Sequence, residues 1–386
     1  MSRGGFAGAA LSLVAVFAAS ASPIPLYELY RRADGVSHTD LSLTAVAYFI
    51  CVMVALVVLG RLSDHLGRRP VALAALAITA AGTLVLTQVH GAELLFAGRA
   101  LQGLGCGLAS SALAAYVVDS APVGMGGTIA AVSPMFGLTA GAVVSGVLAQ
   151  YGSAPRTLAY LLAAGLLGIC AVLVLCGRET VARTGDAARS LRPRVHMPVS
   201  VRGLLPATAT TFVATWSLGG FFQAFGPSVA AEQLRTSSTV VAAVLFAAFM
   251  APSVVGAPLA ARVDPLAAQR YGIVVFATAV VALVLSLKAG AVGPLLVATA
   301  IAGAAQGTTF AAGMSGLLGA SEPSDRAGVL SVVYLISYAG AALPSLVAGQ
   351  LARSLTLLQI ALGYAALAVI ACAATLVAAR RVPSLV

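Results

Sequence analysis

An all-α membrane protein of twelve transmembrane helices, arranged as two pseudo-symmetric six-helix bundles, is the fold class this sequence predicts, and three observations predict it. Of 386 residues, 60% are hydrophobic and only 9% are charged, with a mean hydropathy of +1.00, whereas about a quarter of an ordinary soluble domain is charged. The apolar residues fall in runs of about 20, the length that crosses a hydrocarbon core of about 30 Å. The runs divide six and six about a polar, arginine-rich stretch from Arg178 to Arg202. This composition excludes a soluble enzyme and a disordered scaffold.

Apolar runs between charged and turn-forming residues place the first six spans near 6–27, 40–61, 70–89, 92–118, 125–150 and 156–177. Six more follow near 203–230, 238–261, 270–288, 291–318, 326–351 and 355–379. All are expected to be helices, because backbone groups in lipid need partners within their own segment. The domains follow: an N-terminal bundle over 1–177, a basic linker over 178–202 and a C-terminal bundle over 203–386. Arg3, the apolar run after it and Ala19-Ser20-Ala21 resemble a cleavable leader, but removal would leave eleven spans and break the six-plus-six pattern, so the first span is expected to stay.

The formal charge of +10 would suggest nucleic acid in a soluble chain, but here its distribution sets topology. With the N-terminus inside, cytoplasmic segments hold fifteen cations, among them Arg183, Arg189, Arg192, Arg194 and Arg381, and external ones hold six. This excess puts both termini in the cytoplasm, here of a bacterial inner membrane, one Lys against 21 Arg hinting at a GC-rich genome. The middle loop can touch anionic lipid, and no nucleic-acid partner is expected. Five cysteines scattered in apolar runs and four distant histidines predict neither disulfides nor a metal site. No Walker-type loop is present, so neither ATP hydrolysis nor any cofactor is expected.

Internal repetition supports a duplicated unit. Gln102-Gly103 recurs as Gln306-Gly307, a shift of 204, and Ala140-Gly141-Ala142 recurs as Ala339-Gly340-Ala341, a shift of 199.

The strongest local signal is the loop Gly60-Arg61-Leu62-Ser63-Asp64-His65-Leu66-Gly67-Arg68-Arg69-Pro70. Gly60 and Asp64 share a helix face at i and i+4, and Gly67 allows a sharp exit before Arg68 and Arg69. An acid at a helix C-terminus opposes the dipole, so Asp64 requires a partner, Arg68 or another helix's N-terminus. In this loop the chain resembles the major facilitator superfamily, and the resemblance extends to the twelve spans, the six-plus-six division and the basic middle loop. It implies a monomeric secondary transporter whose two bundles rock about a central site, with this loop as a cytoplasmic latch. It also implies that Asp64 faces helix eleven and that Arg68 pairs with Asp119.

Span four carries Arg99-Ala100-Leu101-Gln102-Gly103. Arg99 lies about 10 Å past the span's outer edge at 1.5 Å per residue, where a guanidinium needs a cavity or hydrogen-bonding partners, and Gln102 at i+3 shares its face. The segment is similar to the family's Arg-x-x-Gln-Gly motif, linked to proton coupling or cavity organisation. Span five reads Ser133-Pro134-Met135-Phe136-Gly137 and lacks the Gly-Pro pair of the family's drug–proton antiporters. Glu28 is the sole first-helix acid that could carry a proton, at the outer mouth beside Arg31 and Arg32.

Tyr48, Trp216, Phe221, Phe222, Gln223, Gln306, Tyr334 and Tyr338 are the cavity candidates. They suit amphiphilic or weakly polar solutes better than polyanions. The expected function is proton-coupled efflux of small amphiphilic compounds, drugs or metabolites, with protons as the coupling ion and no catalysis. Uptake or exchange of a sugar or organic acid is the alternative, and a non-transporting membrane receptor a remote one.

Overall fold

The computed structural model describes residues 3–182, 190–191, 197–322 and 325–380. Arg183, Arg189, Arg192 and Arg194 of the basic linker, and Arg381, lie outside the described residues. The described chain is helical and contains no strand. Its long helices are α1 (Gly5–Asp34), α2 (His38–Leu59), α3 (Arg68–Gln88), α4 (Ala92–Ser120), α5 (Gly126–Tyr151) and α6 (Leu158–Cys176). They continue as α7 (Leu205–Glu232), then α8 (Thr239–Ala260), α9 (Pro265–Lys288), α10 (Val292–Gly319), α11 (Gly328–Leu351) and α12 (Leu357–Ala378). Eleven are long and apolar enough to cross a membrane. The twelfth, α7, is long enough but falls short in hydropathy, because threonines and serines interrupt it. It compensates by burial: most of its side chains, Thr211, Thr215, Ser217 and Gln223 among them, are packed away from the surroundings.

The chain forms two compact units. One comprises Met1–Pro193 with Ser237–Ala247, the other Arg194–Thr236 with Ala248–Val386. Within each, the same five helix pairs make the main contacts. In the first unit these are α1 with α5, α3 with α4, α2 with α4, α1 with α6 and α3 with α6, and in the second α7 with α11, α9 with α10, the end of α8 beyond Ala247 with α10, α7 with α12 and α9 with α12.

Glycines permit the closest of these approaches, since helices in lipid associate by backbone packing rather than by a hydrophobic drive. A Cβ on Gly103 or Gly107 would strike the Tyr48 or Val52 carbonyl of α2, and one on Gly303 or Gly307 would strike the Phe249 or Ser253 carbonyl of α8. From Gly103 to Gly303 and from Gly107 to Gly307 the shift is 200, next to the 199 of the α5 and α11 match. The Gln-Gly pairing at 204 is thus one helical turn out of register with the backbone repeat. In structural register Arg99 corresponds to Thr299, and the second unit has no arginine at that place.

Four spans depart from regular geometry within their length, one of them α8, which tightens into 3-10 geometry over Ala251–Val255. Helix α1 breaks after Ala21 and resumes through a tight turn over Ile24–Leu26. Helices α2 and α4 each widen into one π-helical turn, over Ala55–Leu59 and Ala109–Leu113, a feature found often at functional sites.

Candidate functional site

The break in α1 follows from its sequence. Pro23 and Pro25 have no N–H, so the carbonyls one turn back lose their helical donors. The Ala19 carbonyl instead accepts the Gln102 Nε2 at 2.9 Å and the Ser22 hydroxyl at 2.7 Å. The Ser20 carbonyl accepts the Arg99 Nη1. Arg99 Nη1 also donates to Gln102 Oε1 at 3.0 Å, and Gln102 Nε2 to Thr83 Oγ1 at 3.2 Å. The guanidinium carbon lies 4.1 Å from the centroid of the Tyr48 ring, whose hydroxyl is 3.4 Å from Ser20 Oγ.

Arg99 and Gln102 are fully buried. The carbonyl end of the first half of α1 carries partial negative charge, and an aromatic face attracts a cation, so neutral groups hold the charge that a membrane interior otherwise rejects. Two described carboxylates have arginine partners of their own. Glu28 accepts from Arg31 Nε at 3.0 Å and Arg32 Nε at 2.9 Å. Asp119 lies twenty residues along α4 from Arg99, about 30 Å at 1.5 Å per residue.

At the other end of the unit, α2 runs through Gly60 into a short turn over Leu62–Leu66, and Gly67 adopts φ +96° before α3 starts at Arg68. That φ favours glycine, and a Cβ there would stand 2.6 Å from Glu179 Oε2. Arg68 Nη1 donates to Asp64 Oδ1 and, at 2.7 Å, to Ser63 Oγ, while its Nε donates to Asp119 Oδ2 at 3.0 Å. Arg69 reaches the Val174 carbonyl at 3.1 Å and the Leu175 carbonyl at the end of α6. The Glu179 carboxylate accepts the backbone N–H groups of Arg68 at 2.7 Å and Arg69 at 3.0 Å, placing a negative charge on the positive end of α3. Sequence reasoning missed Glu179. The one signal for it was an acid just past the end of span six.

In the second unit, Trp216 of α7 packs 4.9 Å from Tyr338 of α11 and 5.6 Å from Phe310 of α10 by ring centroids. Tyr334 follows at 6.4 Å from Tyr338, and Phe212 lies 4.9 Å from Phe310. Trp216 Nε1 and Gln306 Oε1 are buried without hydrogen-bond partners among the described residues. Gln306 precedes Phe310 by one turn. Phe222 belongs to a second aromatic group, 5.4 Å from Phe249 and 5.6 Å from Phe221, and Gln223 beside it is buried. The cavity candidates therefore separate: Trp216, Tyr334 and Tyr338 meet, Phe222 stands apart from them, and Tyr48 serves Arg99 in the first unit. Phe310 and Phe249 were missed, although Phe310 shares the Gln306 face at i+4.

The sequence model of the Major Facilitator Superfamily matches residues 9–285. The chain belongs to this superfamily. Its fold is that of the nucleoside transporter NupG, whose crystal structure superposes with a TM-score of 0.71 over 97% of this chain and 99% of that one, at 12% identity. The human proton myo-inositol cotransporter is 35% identical over 77 residues, which are 20% of this chain and 12% of that protein's length. As a superfamily member with eleven helices long and apolar enough to cross a membrane, the chain is a multi-pass membrane protein. In its first unit the buried arginine and the loop cluster occupy opposite ends of α4. They are linked through that helix and through α2, which packs on α4.

Proposed function

We propose that this transporter exports small, uncharged, amphiphilic organic compounds by alternating access, in exchange for protons. The observation that carries the reading is the aromatic group of the second unit. It offers ring faces, an indole N–H and an amide oxygen, both unsatisfied, and no charged side chain belongs to it. A solute with a flat apolar face and one donor–acceptor edge would fit that chemistry, whereas an anion would find no counter-charge. Arg99 acts in this reading as an organiser of α1 against α4. Both Glu28 and Asp119 pair with arginines; in this reading Glu28, the acid on the first helix, carries the protons. Both termini lie in the cytoplasm, by the distribution of arginines, of a bacterial inner membrane. The chain works as a monomer, with the Asp64–Arg68–Asp119 cluster as a cytoplasmic latch.

A second reading, uptake of a neutral polyol together with protons, is favoured by the likeness to a proton myo-inositol cotransporter. One assay separates them. Inside-out vesicles carrying the protein are energised, a pH-gradient probe is recorded, and lipophilic neutral compounds, polyols, nucleosides and organic acids are added in turn. Export gives compound-specific dissipation of the gradient that Arg99→Ala abolishes. Polyol-driven proton movement in right-side-out vesicles alone would instead establish uptake.

A further inference from the structure

We propose that the second unit holds a groove for one acyl chain of an anionic phospholipid, with the phosphate at Arg353. The groove encloses about 720 Å³ between α7, α11 and α12, and of its lining only Gln359 and Tyr364 carry polar side chains. Its depth comes partly from Gly363, where a Cβ would meet nothing within 4 Å. Leu343 and Val347 on its rim are 61% and 57% exposed. The walls are membrane-spanning helices, so the medium that reaches the groove is hydrocarbon. Water would find too few polar partners to occupy it.

One end of the groove fixes the class of lipid. Leu351 ends α11, Leu357 begins α12, and both Leu351 and Leu355 line the groove. The short connection between these helices carries Arg353, exposed at the level where a spanning helix meets the interface. A guanidinium there pairs with a phosphate by charge-assisted hydrogen bonds. The inference needs only that this unit lies in a membrane, so it stands apart from any reading of substrate or direction.

Trp216, the only tryptophan of the chain, is a built-in reporter, one turn along α7 from the groove residue Val213. The test uses the full-length protein in phosphatidylcholine vesicles titrated with phosphatidylglycerol whose acyl chains are brominated, with Trp216 fluorescence as the readout. Saturable quenching is expected in the wild type. Gly363→Leu, which fills open space, should lose the saturable phase with an unchanged melting temperature, and Ala339→Leu provides a second filling variant should the first misfold. Arg353→Gln should move half-saturation to a several-fold higher phosphatidylglycerol fraction. Equal saturation in wild type and both filled variants, or quenching that rises linearly as for bulk lipid, would overturn the proposal. Relief of quenching by a transported solute in wild type, absent in Gly363→Leu, would assign the groove to solute instead and overturn it as well.

Discussion

The guanidinium of Arg99 stands 4.1 Å over the ring of Tyr48, inside the first unit, and donates to the Ser20 carbonyl and to Gln102 Oε1. A positive charge is therefore kept in a spanning helix by an aromatic face, an amide and the carbonyl end of a broken helix. Tyr48→Leu replaces the ring with a smaller apolar side chain, so it should cost at least about 2 kcal/mol, the scale of a desolvated cation–π contact. The drop in melting temperature in detergent measures it. Tyr48→Phe, which keeps the ring, should retain most of that stability.

The Ala19 carbonyl that holds Gln102 lacks its helical i+4 donor because residue 23 is a proline. Pro23→Ala supplies an N–H that can close the helix onto the Ala19 carbonyl and compete with Gln102 Nε2. Stability should change little, since one hydrogen bond replaces another, each worth about 1 kcal/mol net. Transport should fall far more, because α1 straightens and leaves Arg99 misplaced. A transport loss no larger than the stability loss would show the break to be merely structural.

Glu179 caps the N-terminus of α3 from 111 residues away. Glu179→Gln keeps the shape and removes the charge, and should cost about 1 kcal/mol of stability, the combined scale of a lost cap and of charge at a helix dipole. The effect should shrink in high salt, because the group is partly exposed and screened. Unfolding midpoints of both proteins across a salt series test this.

Much of the fold was legible because lipid imposes two simple rules, span length and internal backbone satisfaction, and the apolar runs obey both. Even α7, the least apolar span, could be placed from its length and its position after the basic stretch. Arg99 and Gln102 were legible as a pair through their i, i+3 spacing, and the Gly60 to Arg69 loop through its glycines and charges. What stayed hidden depends on contacts distant in sequence. Nothing near Glu179 tells which helix end it meets, and nothing near Phe249 or Phe310 marks their partners. The repeat register was misleading for a physical reason: Gln-Gly dipeptides are easily matched by eye, whereas the true marker is a pair of glycines spaced to meet a neighbouring backbone.

That marker yields a packing prediction. Gly303 and Gly307 lie against the α8 backbone, so Gly303→Leu must push α10 off α8, an overpacking of more than about 3 kcal/mol. Folded protein should vanish from the monodisperse peak in size-exclusion chromatography. Gly168→Leu on α6, where a Cβ meets nothing within 4 Å, should leave that peak unchanged.

The aromatic group of the second unit offers the sharpest test of the substrate reading. Trp216 combines a large ring, packed on Tyr338 and Phe310, with an N–H that has no hydrogen-bond partner among the described residues. Trp216→Phe keeps an aromatic face and deletes the donor, so a solute that accepts this hydrogen bond should bind about tenfold more weakly, which corresponds to about 1.4 kcal/mol. Maximal rate should survive, because the interaction is made equally in the bound and moving states. Gln306→Leu should give a similar rise in half-saturating concentration for solutes with a donor, and none for those without. A fall in maximal rate with unchanged half-saturation in both variants would place these residues in the helix movements of the second unit and take the solute elsewhere.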